Sequence, residues 1–375
     1  MTSLPLQLFG KVTFNKSRVW EAMLCRNQSD KNEVIIHLWT NSPTKYRKFA
    51  VLFEYSENNE LFKFIPKDLY RVNEYGAIWR PGIISHAEQN LKNNLSVDGV
   101  LQNGELTGTW SFSPNSGKFK LAIKSRLAML EPIKMNNWDE FKKWVTDNKR
   151  ILDLGAFRGQ GCNTFSLQTS FHRTQKCRLE KYVNTIFLTF QSHAEAITDR
   201  RINLSDGFEY STLLGLAQHH GLPTPMLDWS YSPYIAAFFA FSDALENSQV
   251  RLNTTHVRIY AITNKYINIH SPQNINLSFV APYTCFLSIS GRNNPRLYVQ
   301  QGTFLVTNIL ELETFIHDYE IEKNETALYA VDLPINSLRE AMSDLQYMGI
   351  TAGSLFPGLD GIGKMLRQEM LLGIF

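Results

Sequence analysis

Hydrophobic and polar positions alternate with period two over much of the first third of the chain. Val34 to Trp39, Phe49 to Tyr55 and Leu61 to Ile65 are β-branched and aromatic runs, parted by turn-formers at Asn41-Ser42-Pro43 and Asn58-Asn59. Farther on, VDGVLQNGELTGTWSFSPNSGKFKLAI places Asn103-Gly104 and a Ser113 to Gly117 turn between period-two runs, the pattern of an antiparallel meander. Residues 1–127 therefore predict a small antiparallel β barrel or sandwich. The period then changes. Trp138, Phe141, Trp144 and Val145 recur at helical spacing, which predicts an amphipathic linker helix within residues 128–150. Residues 151–375 mix the two periods. A short strand at Ile151 to Phe157 precedes a long helix from Cys177 to Arg200 with Leu179, Tyr182, Val183, Ile186, Phe187 and Phe190 on one stripe. Strand-like runs follow at His256 to Thr263, Cys285 to Ile289, Leu297 to Val306 and Ala327 to Leu333. The fold class is α+β.

The stretch from Gly215 to Phe241 organises the second half. Tyr210 to His220 has helical composition; Gly221 supplies a left-handed residue to close that helix, and Pro223 and Pro225 prevent its return. After the short run Met226 to Trp229, Ser232-Pro233 reads as N-cap and first residue of an apolar helix through Ile235, Ala236, Phe238, Phe239 and Phe241. Gln218, His219, His220, Asp228, Trp229 and Ser230 are costly to bury without partners, and a polar cluster between apolar helices lines a cleft. Free amides at the start of the second helix suit a phosphate.

Composition narrows the classes. With 375 residues, 43% hydrophobic and 19% charged, the chain is a folded protein long enough for two domains. Its net charge of +3 is too small to argue for a polyanionic partner by itself. Cys25, Cys162, Cys177 and Cys285 have neither zinc nor redox spacing, and the chain shows neither a leader pattern nor an apolar run approaching ~20 residues; the expected location is cytoplasmic, without a membrane partner. Nucleophile elbow, phosphate loop, His-Glu-x-x-His and dinucleotide fingerprint are all missing. Adjacent His219 and His220 point apart on a helix, so no metal is expected. Arg158, in Phe157-Arg158-Gly159, suits a diphosphate or carboxylate, or else pairs with Asp153. Arg71, Trp79 and Arg80 are a weaker polyanion candidate. Gln218-His219 with Asp228 is the expected catalytic grouping.

Five ordered motifs carry a resemblance. Phe157-Arg158-Gly159-Gln160, Thr169-Ser170-Phe171-His172-Arg173, the run Ala217 to Thr224 with Leu227-Asp228-Trp229-Ser230, Gln301-Gly302-Thr303-Phe304, and Ser354 to Gly361 together resemble the FRG domain over roughly residues 137–375. That domain's layout is similar to the ADP-ribosyltransferase fold of bacterial toxins. The resemblance implies an NAD-dependent transferase in which Arg158, with Gly159 and Gln160, grips NAD. Ser230-Tyr231-Ser232 would then lead into the apolar helix. Trp229 or Tyr234 would shelve nicotinamide, Ser230 would hold the ribose, Gln218 would line the site, and Asp228 or His219 would act on the nucleophile. Gln300 and Gln301 stand where the family has a catalytic glutamate, so Gln301 takes that position, or Glu209, Asp228 or Asp360 supplies the charge. The implied setting is a toxin of a toxin-antitoxin or antiviral defence system, with RNA favoured over DNA or protein as acceptor and a cognate antitoxin as partner. A nucleotide-binding or nucleic-acid-binding sensor without turnover, and a nuclease using His219, His220 and Asp228, remain as alternatives.

Overall fold

The computed structural model describes residues 3–15, 18–40, 48–83, 85–124, 130–247, 254–271, 276–287 and 295–374. The alternating runs near the N-terminus become β1 (Gln7–Phe14), β2 (Arg18–Cys25), β3 (Glu33–Trp39), β4 (Lys48–Asn58), β5 (Leu61–Val72), the short β6 (Ile78–Trp79), β7 (Ser96–Gln102), β8 (Glu105–Phe112) and β9 (Asn115–Ala122). Each main strand pairs antiparallel with its neighbour, β5 with β7, and β9 returns to β1, so eight strands close into a barrel and not a sandwich. Closure removes the exposed edges that an open sheet of this size would carry. Asn103 and Gly104 both have positive φ (51° and 78°), as a two-residue β7–β8 hairpin demands. The expected turn at residues 41–43 lies outside the described residues. Of the weaker polyanion candidates, Arg71 makes two 2.7 Å bonds to Glu88, and Arg80 pairs with Asp68 at 2.9 Å.

The second sheet comprises β10 (Ile133–Lys134), β11 (Leu154–Gln160), β12 (Met226–Ser230), β13 (His256–Thr263), β14 (Thr284–Leu287), β15 (Gly302–Thr307) and β16 (Leu328–Pro334), ordered β10-β16-β13-β11-β12-β15-β14. Among the described residues of this sheet only β10–β16 is parallel. The expected linker helix is no linker. Trp138–Asn148 buries Trp138 and Phe141 completely, and Trp138 meets Phe241 edge-on at 6.2 Å inside the second core. Its period-3.6 stripe marks packing on a neighbouring helix, which a sequence alone does not distinguish from a bridge between domains. The long helix after Cys177 is continuous but takes a π turn at Val183–Phe187. The run Leu297 to Val306 divides: Pro295–Val299 is helical, Gln301 is left-handed (φ 47°), and the strand begins at Gly302. The Ile289 end of another expected strand falls outside the described residues.

Barrel and second domain are packed together. Gln7 bridges them, its amide donating to the Asn308 carbonyl at 2.8 Å and accepting from the Leu310 amide at 2.9 Å. Around it Met23, Cys25 and Ile35 of the barrel share one apolar cluster with Cys177 and Val280.

Candidate functional site

The site is made by a split in the second sheet. β13 follows β11 over most of its length and β15 follows all of β12, yet β11 and β12 meet in a single residue pair, Phe157 with Ser230. Beyond it the two strands part. Arg158 stands in the gap and donates from Nη1 to the Asp228 carbonyl at 2.6 Å, replacing a ladder bond that the divergence leaves unmade. Its expected alternative partner, Asp153, instead accepts from Asn264 at 2.9 Å. The Arg158 Nε is buried and, among the described residues, has no acceptor. Burial lowers the Arg158 pKa, while Asp228 works to raise it.

Behind the gap lies the helix Pro233–Glu246, capped as the sequence predicts: Ser232 accepts from the Ile235 amide at 3.3 Å and Pro233 takes the first turn. Gly159 lets this helix approach, since a Cβ there would stand 1.9 Å from the Ala236 carbonyl oxygen. That contact is with backbone and has little freedom to yield. Gly159→Ala is therefore expected to destabilise the chain by about 2 kcal/mol, within the range for overpacking a close helix–strand contact, as measured by urea unfolding.

A cleft of about 400 Å³ opens where the strands diverge, within the range of small-molecule sites. Arg158, Gly159, Gln218, His219, Asp228, Trp229 and Ser230 border it, so seven of the expected site residues share one hollow. The helix Gly207–His219 supplies Gln218 and His219 and ends as expected, with Gly221 at φ 81°. On β12 the alternation buries Leu227 and Trp229 and turns Asp228 toward the cleft. Asp228 is held in place. The Gln218 side-chain amide donates to Asp228 Oδ1 at 2.6 Å, and the Thr224 hydroxyl donates to the Gln218 carbonyl oxygen. Thr224 is braced in turn, its amide donating to the Ser170 hydroxyl at 3.0 Å. Two separated motifs thus converge on one carboxylate.

Several expected residues do not hold the place expected of them. Trp229 borders the cleft but is 2% exposed, and its ring packs on Phe286 at 6.1 Å, so the ring is no nicotinamide shelf. Tyr234 turns to Trp138 at 6.2 Å. Of the aromatic residues that border the cleft, Phe239 and Phe356, edge-on at 6.0 Å, are the half-buried ones. Ser232 is occupied as a cap, and Gln160 is buried with its amide on the Ser166 carbonyl at 3.4 Å. Gln301 is exposed in a turn; its backbone amide donates to the Tyr298 carbonyl at 3.0 Å and its carbonyl accepts from the Tyr231 amide at 2.9 Å. Its neighbour Gln300 borders the cleft, donating to the Leu355 carbonyl at 3.0 Å, while the Gln300 carbonyl accepts from the Ser230 hydroxyl at 2.8 Å. A one-residue error at a strand start moves a side chain to the other face. His219 makes no hydrogen bond with Asp228 among the described residues; it is exposed beside His220, ring centroids 5.0 Å apart, and partial burial followed by Arg296 and His220 lowers its pKa. Of the other acids, Glu209 binds Arg200 at 2.9 Å and the Asn203 amide at 2.7 Å, and Asp360 is an open surface residue. The sequence reading overlooked Asp243 and Arg296, which both border the cleft. Asp243 accepts from the Gly161 amide at 3.2 Å, and its place on an apolar helix was the available signal. Among the described residues no group of three His, Cys, Asp or Glu is arranged to hold a metal.

His172, in the motif that braces Thr224, is fully buried; its Nδ1 meets the Thr169 hydroxyl at 2.8 Å and burial lowers its pKa to about 3. Below its ordinary value of 6.5 the unfolded chain takes up a proton that the folded chain refuses, so stability present at neutral pH is lost as pH falls toward 3. Between pH 7 and pH 5, wild type is expected to lose about 2 kcal/mol more than His172→Gln in urea titrations.

Comparison with known proteins agrees on one segment: residues 154–249 match the FRG domain family model. The matched range contains β11, β12 and both helices that flank the cleft. No curated protein matches the chain. Among solved structures, a redesigned beta barrel aligns with 9% identity over 32% of this chain and 92% of its own, at a TM-score of 0.22, too low for any argument to rest on. No helix among the described residues is long and apolar enough to cross a membrane.

Proposed function

We propose that the chain is an NAD-dependent ADP-ribosyltransferase that modifies a macromolecule, with nucleic acid, RNA first, as the acceptor class. The observation that carries this reading is the split between β11 and β12, which sets a cation, Arg158, and a positioned carboxylate, Asp228, on one cleft. The residues present suit a dinucleotide: the buried Arg158 Nε has no acceptor of its own among the described residues, Arg296 adds a second cation, and Phe239 and Phe356 give apolar walls. NAD, when bound, supplies an ADP-ribosyl group whose transfer releases nicotinamide.

The chain's own part follows from charge and position. Arg158 and Arg296 attract the diphosphate and hold it by charge-assisted bonds. Asp228, fixed by Gln218 and Thr224, presents a negative oxygen that stabilises developing positive charge without reorganising. His219, kept toward its neutral form by partial burial and by Arg296, takes the proton of the incoming nucleophile. Gln301 has no role in this arrangement, and neither do Trp229, Tyr234 or Gln160. Purified chain supplied with NAD labelled in its adenylate, in separate RNA, DNA and protein pools, is expected to label the RNA pool, and Arg158→Ala to abolish the label. Binding without label in any pool would favour a nucleotide-binding module without turnover. The absence of a carboxylate at Gln300, where the transferase pattern has one, is the observation on that side.

A further inference from the structure

We propose, resting on the transferase reading and its RNA acceptor, that the groove between the helices Pro233–Glu246 and Leu359–Leu372 is where the RNA strand docks, one sugar toward the cleft and its phosphate outermost. A second hollow, of about 470 Å³, lies between these helices and meets the cleft at Phe239 and Asp243, which border both. Phe239, Asp243 and Glu246 recur at i, i+4 and i+7 on the first helix, so one stripe of side chains leads from the cleft out along the groove. The two walls are pinned to each other. Gln368 of the second helix is 3% exposed, and its amide donates to the Ser242 hydroxyl at 2.6 Å and to Glu246 on the first.

Charge is ordered along this groove. Glu246 is engaged within the helix pair, accepting from Gln368, from the Ser242 hydroxyl at 2.9 Å and from Lys364 at 3.4 Å. Asp243 stands at the junction, and among the described residues its carboxylate accepts only from the Gly161 amide, at 3.2 Å. Farther out are two cations. Arg367 is exposed and makes no ion pair among the described residues, and the Lys364 ammonium lies 4.8 Å from the centre of the Phe356 ring. Arg296 of the cleft lies 5.5 Å from the same ring, so one aromatic positions a cation for each hollow. A carboxylate at the junction and cations beyond it match a nucleotide, whose sugar hydroxyls donate and whose phosphate accepts. An acidic peptide would set its own carboxylates against Asp243. The space between two packed helices admits one strand and not a duplex.

Fluorescence anisotropy of labelled oligouridine, titrated with the full chain in the absence of NAD, tests the site apart from the chemistry. The expected result is saturable binding to wild type and about tenfold weaker binding to Lys364→Gln/Arg367→Gln, with the slope of log Kd against log salt shallower by about 1.4, the value for two phosphate contacts on a single strand. Lys118→Gln/Lys120→Gln removes the same charge from two exposed positions on the barrel and should bind as wild type does. Wild type without saturable binding, a groove variant that binds as well as wild type, or a barrel variant weakened as much as the groove variant overturns the proposal. So does equal binding of the strand annealed to oligoadenosine. Should the double groove variant fail to fold, Arg367→Gln alone is expected to lose about threefold, with a slope shallower by about 0.7, and no loss overturns the proposal. Groove-dependent RNA binding without nicotinamide release from NAD would keep this site and remove the transferase reading; nicotinamide release without RNA binding would do the reverse.

Discussion

Arg178→Ala is expected to lower the unfolding free energy by about 3–5 kcal/mol, the largest stability effect of any single change described here. Arg178 is 4% exposed at the junction of barrel and second domain. Its Nε donates to Glu180 at 2.7 Å, and its Nη1 lies 2.9 Å from Asp30 and 2.8 Å from Glu33. Asp30 and Glu33 belong to the barrel side and Glu180 to the second domain, so one guanidinium neutralises carboxylates from both. Glu180 is 2% exposed, and burial already raises its pKa against the pull of Arg178. Alanine would leave that carboxylate buried without its counter-ion. Lys181, 2.8 Å from Asp30, is half exposed and does not replace it. Denaturant unfolding measures the effect directly, and a loss below about 1 kcal/mol would mean that the two domains are held by their apolar contacts alone.

The largest effect on activity is expected from Asp228→Asn. Asparagine keeps the shape and can still accept from Gln218, so folding and NAD affinity should change little; what disappears is the negative charge. Label transfer is expected to fall roughly 10²–10³-fold, the scale seen when one preorganised electrostatic partner is removed. Gln218→Ala should cost less, about tenfold, because it removes the 2.6 Å bond that aims the carboxylate and leaves the carboxylate itself. A change in KM with kcat unaltered in Asp228→Asn would assign Asp228 to binding instead.

Much of this was legible in the sequence, and the exceptions have physical causes. Helix ends were readable because they rest on local chemistry: Gly221 and Ser232-Pro233 stop and start helices where expected. Barrel strands were readable because one face is apolar and the other polar. Closure into a barrel was not, since it depends on β9 meeting β1 across most of the domain. The polar corner was found because Gln218, Asp228 and Ser230 crowd one short stretch. Its wiring was not, since Ser170 and Thr224 lie 54 residues apart and act through one hydroxyl. Trp229 and Tyr234 were misassigned because an aromatic beside a site is most often core, and only the pleat of β12 and the face of the following helix show which way each ring turns. Gln301 was misassigned because the helical turn Pro295–Val299 ends in a left-handed residue, which delays the strand and puts Gln300 at the cleft instead.

Nicotinamide release is the most direct test of the proposed chemistry at the β11–β12 split. With NAD and an RNA pool, wild type should release nicotinamide in step with label appearing on the RNA, and Asp228→Asn, folded and still binding NAD, should release it at least about 10²-fold more slowly. Equal release by the two proteins, or none from wild type in the presence of any acceptor pool, would contradict it.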